Sequence, residues 1–537
     1  MPKIPFQLVA LSFSLILLAS IAAQSEAPQG ALLQGPVLLQ RDATQCELWF
    51  RFDREGRYQV ELSKFESPEP TNPVLIDLIA LEKRDFCATI RLRKLHPDTL
   101  YGIRLLTSTG SFMAGSALFV RTPPRRRAST RLVFASCADE NEATGRVLER
   151  IGEDRPDALV LLGDTPYIDT TRLSVQRRRY REFAGWGALA RVVRRTPLYS
   201  IWDDHDFGRN DSDGNLPGKE NSRRAFIEYR RHPNDPGKHA GIYQRFSCGA
   251  AEVFLLDTRT FAATEDSSAA PGTPTLLGKD QWQWLTESLR KSRAPFKILA
   301  CGMIWNGAVR PGKPDHWASY PAEREALFRF IGEEKISGVV LIGGDIHRSR
   351  HLSHLSEKSA GYRLHEFISS PMHGRIIGAA NQPHPGLLWD QGAPYSYLRL
   401  DVSAKELKFQ FRNRDAKTLH EGTLNAAALV FREFREKTAR DKAAMDFLRQ
   451  LMGQIGNPAD FGKVETHVRA HPRLSGPFFS NAALACASWL MGKNQFARAR
   501  SLYLRLRQEP HYRGQDGVLK VLDAQIALCD RKLGQQK

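Results

Sequence analysis

The pattern of apolar and polar positions changes character three times along the chain. Between residues 35 and 124, short runs (CELWFRF, YQVELSKF, FCATIRL, YGIRLLTS, SALFVRT) are separated by turn residues at the spacing of a β-sandwich. A Pro- and Arg-containing stretch, 123–129, reads as a linker. From residue 131 to about 422, strand-like runs alternate with amphipathic stretches, which predicts a layered α/β domain. Four of these runs, RLVFASCAD, ALVLLGDTPYID, LYSIWDDHDFGRN and GVVLIGGDIH, begin with apolar or β-favouring residues and read as strands covered on both faces. Past residue 425 the apolar period is helical throughout, with helices expected over 482–492, 495–507 and 519–532.

Each of those four runs delivers acidic, thiol, amide or imidazole side chains just beyond its strand. Cys137, Asp164, Tyr167, Asn210, Asp345 and His347, gathered from strand ends of one sheet, would line a pocket where open α/β sheets place their active sites. The donor types suggest a chemistry. Hydrolysis of an anionic phosphate ester needs positive charge at the attacking and leaving oxygens and an activated water, which two neighbouring metals with a shared ligand supply. Asp164 has the character of that bridge. A thiolate and a phenolate suit a trivalent or soft metal, so Cys137 and Tyr167 would share one ion, iron. Asn210 and Asp345, hard oxygen donors, would serve a neighbouring ion of calcium type, and His347 could complete either. Each residue also has a plain reading: a core cysteine, a turn-forming aspartate, a capping asparagine, a packed tyrosine.

The ends of the chain and its composition narrow the setting. Lys3 precedes an apolar stretch, 6–23, that closes on small residues, the pattern of a secretory leader over residues 1–23; an uncleaved anchor is the competing reading. The chain is therefore expected in the periplasm, cell envelope or extracellular space, with association to a membrane surface as an option. Seven cysteines form an odd set, in which Cys46 with Cys87 and Cys486 with Cys529 could pair. The 77 basic and 59 acidic residues leave a net charge of +18, which favours anionic substrates. The basic residues form no long run, so nucleic acid is not expected as a partner except as substrate.

These motifs, taken in order, resemble a known family. Ser136-Cys137-Ala138-Asp139, Gly163-Asp164 with Tyr167, Trp202-Asp203-Asp204-His205-Asp206 with Asn210, and Gly344-Asp345-Ile346-His347 resemble the alkaline phosphatase D (PhoD-like) family of calcineurin-like metallophosphatases. Leu256-Asp257-Thr258-Arg259, the segment 277–285 and the segment 315–324 support the match. The resemblance implies a four-layer α/β/β/α core with an Fe(3+) and Ca(2+) cluster. It also implies an exported phosphomonoesterase or phosphodiesterase in which metal-activated hydroxide attacks phosphorus without a covalent enzyme intermediate. By the same analogy Cys137 and Tyr167 hold iron, Asp164 bridges, and Asn210, Asp345 and His347 complete the cluster. His205 and Asp204 fall beside the phosphoryl group in a catalytic role, with Asp203 beside the metals, while Asp257 and Arg259 read as a structural pair. The domains expected are a fibronectin III-like β-sandwich over 30–124, which carries a tyrosine-corner-like Leu95-His96-Pro97-Asp98-Thr99-Leu100-Tyr101, the phosphatase domain over 130–423, and a helical, tetratricopeptide-like region over 425–537. That last region has no counterpart in the family pattern, and its protein partner is unknown. The alternative is a catalytically silent surface-binding or adhesion protein built on the same folds.

Overall fold

The computed structural model describes residues 30–65, 72–230, 240–307, 313–378, 386–433, 439–453, 460–471, 474–509, 512 and 516–535, so the expected leader lies outside the described residues. Seven strands come first: β1 (Leu32–Arg41), β2 (Cys46–Phe52), β3 (Gly56–Lys64), β4 (Val74–Ala80), β5 (Cys87–Leu92), β6 (Leu100–Leu106) and β7 (Leu118–Arg121). They make two sheets, of order β1-β2-β5 and β4-β3-β6-β7, the β-sandwich that the turn spacing predicts. All seven side chains of β2, the middle strand of its sheet, are buried. The chain divides into two compact units: residues 1–36, 50–90 and 99–121 form one, and residues 37–49, 91–98 and 122–537 the other.

The second unit holds the remaining strands: β8 (Ser129–Ala135), β9 (Ala158–Leu162), β10 (Leu198–Ile201), β11 (Gln244–Cys248), β12 (Ala251–Leu255), β13 (Phe296–Ala300), β14 (Val339–Gly343), β15 (Ser349–Ser353), β16 (His365–Ile368), β17 (Leu387–Gln391), β18 (Ser396–Ser403), β19 (Glu406–Asn413) and β20 (Thr418–Asn425). One sheet runs β10-β9-β8-β18-β19-β20 and the other β11-β12-β13-β14-β16-β15-β17. Strands β8, β9 and β10 are parallel, as are β12, β13, β14 and β16, and parallel neighbours need crossovers. Helices Glu142–Asp154, Leu173–Gly185 and Gly187–Val193 supply them for the first sheet, and Gly278–Lys291 and Pro321–Glu333 for the second. The result is the four-layer α/β/β/α core. One expectation is corrected here. The four ligand-bearing loops belong to two sheets, because β14 lies in the seven-stranded sheet while β8, β9 and β10 lie in the six-stranded one.

Among the described residues five helices follow the sheets: Ala439–Gly453, Phe461–Ala470, Pro477–Gly492, Phe496–Arg507 and Asp516–Gln535. They share an apolar core that includes Leu448, Val464, Phe479, Leu490 and Leu506. Neither of the two possible pairings forms: all seven cysteines are free. Cys486 and Cys529 serve instead as small core residues of the helical layer, with the Cys529 sulfur 3.3 Å from Met491 Sδ. Cys46 and Cys87 are buried in β2 and β5. Among the described residues no helix is long and apolar enough to cross a membrane.

Candidate metal centre

The loops after β8, β9, β14 and β16 are tied to one another through their backbones. Cys137 N donates to Gly163 O (3.2 Å), Ala138 N to Asp164 O (3.1 Å), Met372 N to Ser136 O (3.0 Å) and His373 N to Cys137 O (3.1 Å). Gly163 is a residue no other could replace: at φ 92° a Cβ there would lie 2.3 Å from that of Asp203. Four donor residues also sit at positive φ without being glycine: Cys137 (58°), Asp164 (53°), Asp345 (66°) and His347 (47°). Each such turn throws its side chain off the strand axis, at a cost of about 1–2 kcal/mol in backbone strain.

Among the described residues, four groups have their ligand atoms within 4.8 Å of one another inside each group: Cys137, Asp164 and His347; Asp164, Asp204 and His205; Asp203, Asp204 and Asp345; and Asp204, Asp211 and Asp315. Asp164 links the thiol group to the carboxylate groups, and Asp204 belongs to three of the four. The Cys137 sulfur is 3.4 Å from Asp164 Oδ2. Tyr167 joins the first group through its hydroxyl, 3.2 Å from His347 Nε2 and 3.0 Å from His373 Nε2. His205 is oriented by Asp169, whose Oδ1 is 2.5 Å from Nδ1. Asn210 is exposed on the turn beyond, and the carboxylate that reaches the cluster from there is its neighbour Asp211.

Asp203 is brought to the cluster but is already engaged. Its Oδ1 accepts from Arg259 Nε at 2.8 Å, and the same guanidinium reaches Asp315 Oδ2 at 3.0 Å. The expected Asp257–Arg259 pair is accordingly corrected. From Arg259, Asp257 accepts the backbone N–H, and its carboxylate is otherwise taken by Trp202 Nε1 (2.8 Å), Ile242 N (2.9 Å), Thr260 N (3.0 Å) and Thr260 Oγ1 (2.6 Å), while the Arg259 guanidinium turns to Asp203. In the segment 315–324, Trp317 is fully buried and stacked on Trp305, with centroids 4.1 Å apart.

The electrostatics are those of an acidic cluster short of cations. Burial, with Asp204 next, drives the Asp164 carboxyl well above the usual range, and burial does the same to Asp203 despite Arg259. Burial raises Asp345 although Lys313 opposes it. Burial works against Asp204 too, yet Arg259, Lys313 and His205 hold it down to about 2. The Cys137 thiol is pushed up, first by burial and then by Asp164, and the Tyr167 phenol is pushed up by burial and then by Cys137 and Asp164. Among the described residues, the buried carboxylate oxygens Asp164 Oδ1 and Asp203 Oδ2 are among those with no hydrogen-bond partner, although buried polar atoms almost always find one. Orphaned oxygens beside a thiol, a phenol and two imidazoles fit bound metal ions, which would supply the missing charge and contacts.

Sequence reading did not single out His373, Lys313, Asp211, Asp315 or Ser370. His373 is fully buried, and burial lowers it to about 4, so it is a neutral imidazole against the Tyr167 hydroxyl. Lys313 Nζ lies 2.5 Å from Asp345 Oδ1, and Ser370 Oγ donates to the Cys137 sulfur at 3.2 Å. Asp315 belonged to a segment that supported the family resemblance; the others carried no local pattern.

The layers and the donor set define the metallophosphatase fold. The solved structure of PhoD superposes with a TM-score of 0.58 at 19% identity, covering 78% of this chain and 95% of that one. The purple acid phosphatase PPD1 of yellow lupin (Lupinus luteus) gives 0.58 at 12% identity, covering 76% and 78%. The family model described as PhoD-like phosphatase matches residues 132–421, just over half of the sequence, and the chain belongs to that family. It is 26% identical over 306 residues to alkaline phosphatase D of Bacillus subtilis (strain 168), an alignment covering 48% of this chain and 52% of that protein. The chain thus spans about half the length of the curated relative it matches.

Proposed function

We propose that the chain is a metal-dependent phosphoric ester hydrolase of the alkaline phosphatase D type, acting on phosphomonoesters or phosphodiesters in the exported compartment. The observation that carries this reading is the position of Asp164. It lies between the thiol–imidazole group of Cys137 and His347 and the carboxylate–imidazole group of Asp204 and His205, with one oxygen unsatisfied. Cys137, Tyr167, Asp164 and His347 would hold iron. Asp164, Asp203, Asp204 and Asp345 would hold a calcium-type ion, with Asn210 as an amide donor from the exposed turn. Metal ions bound there would offset the charge of the ester and make water nucleophilic near neutral pH.

The remaining steps rest on the protein's own groups. Asp169 fixes His205 by its Nδ1 proton, which leaves Nε2 to hydrogen-bond a phosphoryl oxygen or hand a proton to the leaving oxygen. Arg375 stacks over the Tyr167 ring at 4.9 Å and pairs with Asp139 at 3.0 Å, putting an exposed positive charge beside the cluster for an anionic ester. Export rests on the leader-like residues 1–23, and the net charge of +18 favours anionic substrates in general.

The test is to measure hydrolysis of p-nitrophenyl phosphate and bis(p-nitrophenyl) phosphate with calcium and with chelator, and the metal content of protein purified without added metal. Turnover that a chelator removes and calcium restores, with iron present, is the expected outcome. Metal-replete protein that hydrolyses neither ester ends the reading, and zinc in place of iron overturns the roles given to Cys137 and Tyr167.

A further inference from the structure

Lys313 occupies an unusual place for a lysine. Its side chain is 8% exposed, and its ammonium lies 2.5 Å from Asp345, 3.3 Å from Asp315 and 3.4 Å from Asp211. Asp345 and Asp204 meet in one candidate metal group, and Asp204, Asp211 and Asp315 form another. The ammonium therefore stands among carboxylates that a divalent cation would share. Calcium takes six to eight oxygens at about 2.3–2.6 Å. An ammonium hydrogen-bonded to the same Asp345 oxygen cannot stay within contact distance of such an ion, since two like charges would then sit side by side.

Resting on the hydrolase reading above, we propose that Lys313 is the specificity-determining residue of the second cation site: bound to Asp345, one of that ion's carboxylates, and to Asp315 and Asp211 beside it, its ammonium stands in for the ion and yields when a divalent cation binds. The apparent affinity for the cation is then its intrinsic affinity reduced by the fraction of molecules in which the lysine has left. Weakly held or scarce cations fail to displace it, and an abundant one succeeds. In the metal-poor protein the same ammonium keeps the buried Asp345 and Asp315 and the exposed Asp211 from repelling one another.

The experiment is calorimetric titration of calcium chloride into chelator-treated full-length protein, in wild type, Lys313→Met and Lys313→Arg. The methionine keeps the apolar stem and removes the charge, and it should bind calcium at least tenfold more tightly than wild type. The arginine, still cationic, should bind no more tightly than wild type. Equal or weaker calcium binding by Lys313→Met overturns the proposal. Should that variant be unfolded without metal, calcium must raise its melting temperature by more than it raises that of wild type, and a smaller rise also overturns it. Ester turnover by the wild type judges the hydrolase reading separately. A hydrolytic wild type with no gain in Lys313→Met sinks the lysine's role alone, and a gain in a protein without turnover sinks the hydrolase reading alone.

Discussion

Arg259 and Asp203 form an ion pair sealed inside the protein: the Arg259 side chain is 0% exposed and that of Asp203 1%, with Nε donating to Oδ1 at 2.8 Å. The guanidinium also donates to the Ser212 carbonyl (3.1 Å), so one buried cation ties the strand end after β12 to the Asp203 turn and the turn beyond it. Removing one partner of such a pair strands the other charge away from water. Arg259→Met should lower unfolding stability by about 3–5 kcal/mol, read as a fall in the urea midpoint at unchanged slope.

Asp164→Asn keeps the shape of the side chain and removes its charge. Hydrolysis of p-nitrophenyl phosphate should drop by about 100- to 1,000-fold or more, while circular dichroism and the melting curve remain those of a folded protein. A variant that retains its rate refutes the bridging role.

His373 contacts the Tyr167 hydroxyl at 3.0 Å from a buried position, and partners of metal ligands typically contribute about 10–100-fold to affinity or activity. His373→Phe should therefore lose about that much turnover and shift or weaken any tyrosinate-to-iron absorption band, and His373→Gln, which can still hydrogen-bond, should recover part of both. An unaltered band in His373→Phe would assign the residue to packing alone.

A second set of imidazoles predicts acid sensitivity. His351 lies between His365 (Nε2 to Nδ1, 2.9 Å) and His420 (Nδ1 to Nε2, 3.3 Å), where β15 and β16 pack near β19 and β20. Burial lowers His365 to about 4, with Arg363 and His354 adding to it, and holds His351 below its ordinary value, with His365 and His420 adding to it. Between pH 6.5 and about 4 the unfolded chain binds protons that the folded His365 does not, so stability falls as pH falls, by about 1.4 kcal/mol per pH unit for each such group. Urea midpoints at pH 7.5 and 4.5 should differ less in His365→Gln than in wild type.

The seven free cysteines give a direct count. Thiol titration in denaturant without reductant should find seven thiols per chain, and native protein should show slow reaction confined to the partly exposed Cys248. Five or three thiols would mean that one or both of the possible pairs, Cys46 with Cys87 and Cys486 with Cys529, are joined.

The site was legible where a ligand follows its strand directly. Gly163-Asp164 and Gly344-Asp345 are local patterns, because a strand buried on both faces must end in a turn that presents the next polar side chain. Lys313 and His373 carry no such mark: their roles come from loops that tertiary structure folds back onto Asp345 and Tyr167. The second sheet was partly hidden for a related reason. Strand β15, Ser349–Ser353, is buried at all five positions but has a single aliphatic residue, because Arg350 is paired with Asp390 on β17 and His351, left uncharged by burial, hydrogen-bonds His365 and His420. Periodicity detects greasy strands, and this one is held by charge pairing.

The left-handed backbone at Cys137, Asp164, Asp345 and His347 sets a limit on engineering. Glycine would ease each turn, yet it would delete the very atom the turn exists to aim. Attempts to harden this protein against heat should therefore spare those four positions and look to the helical layer or the outer strands, since here endurance and the candidate site draw on the same few torsion angles.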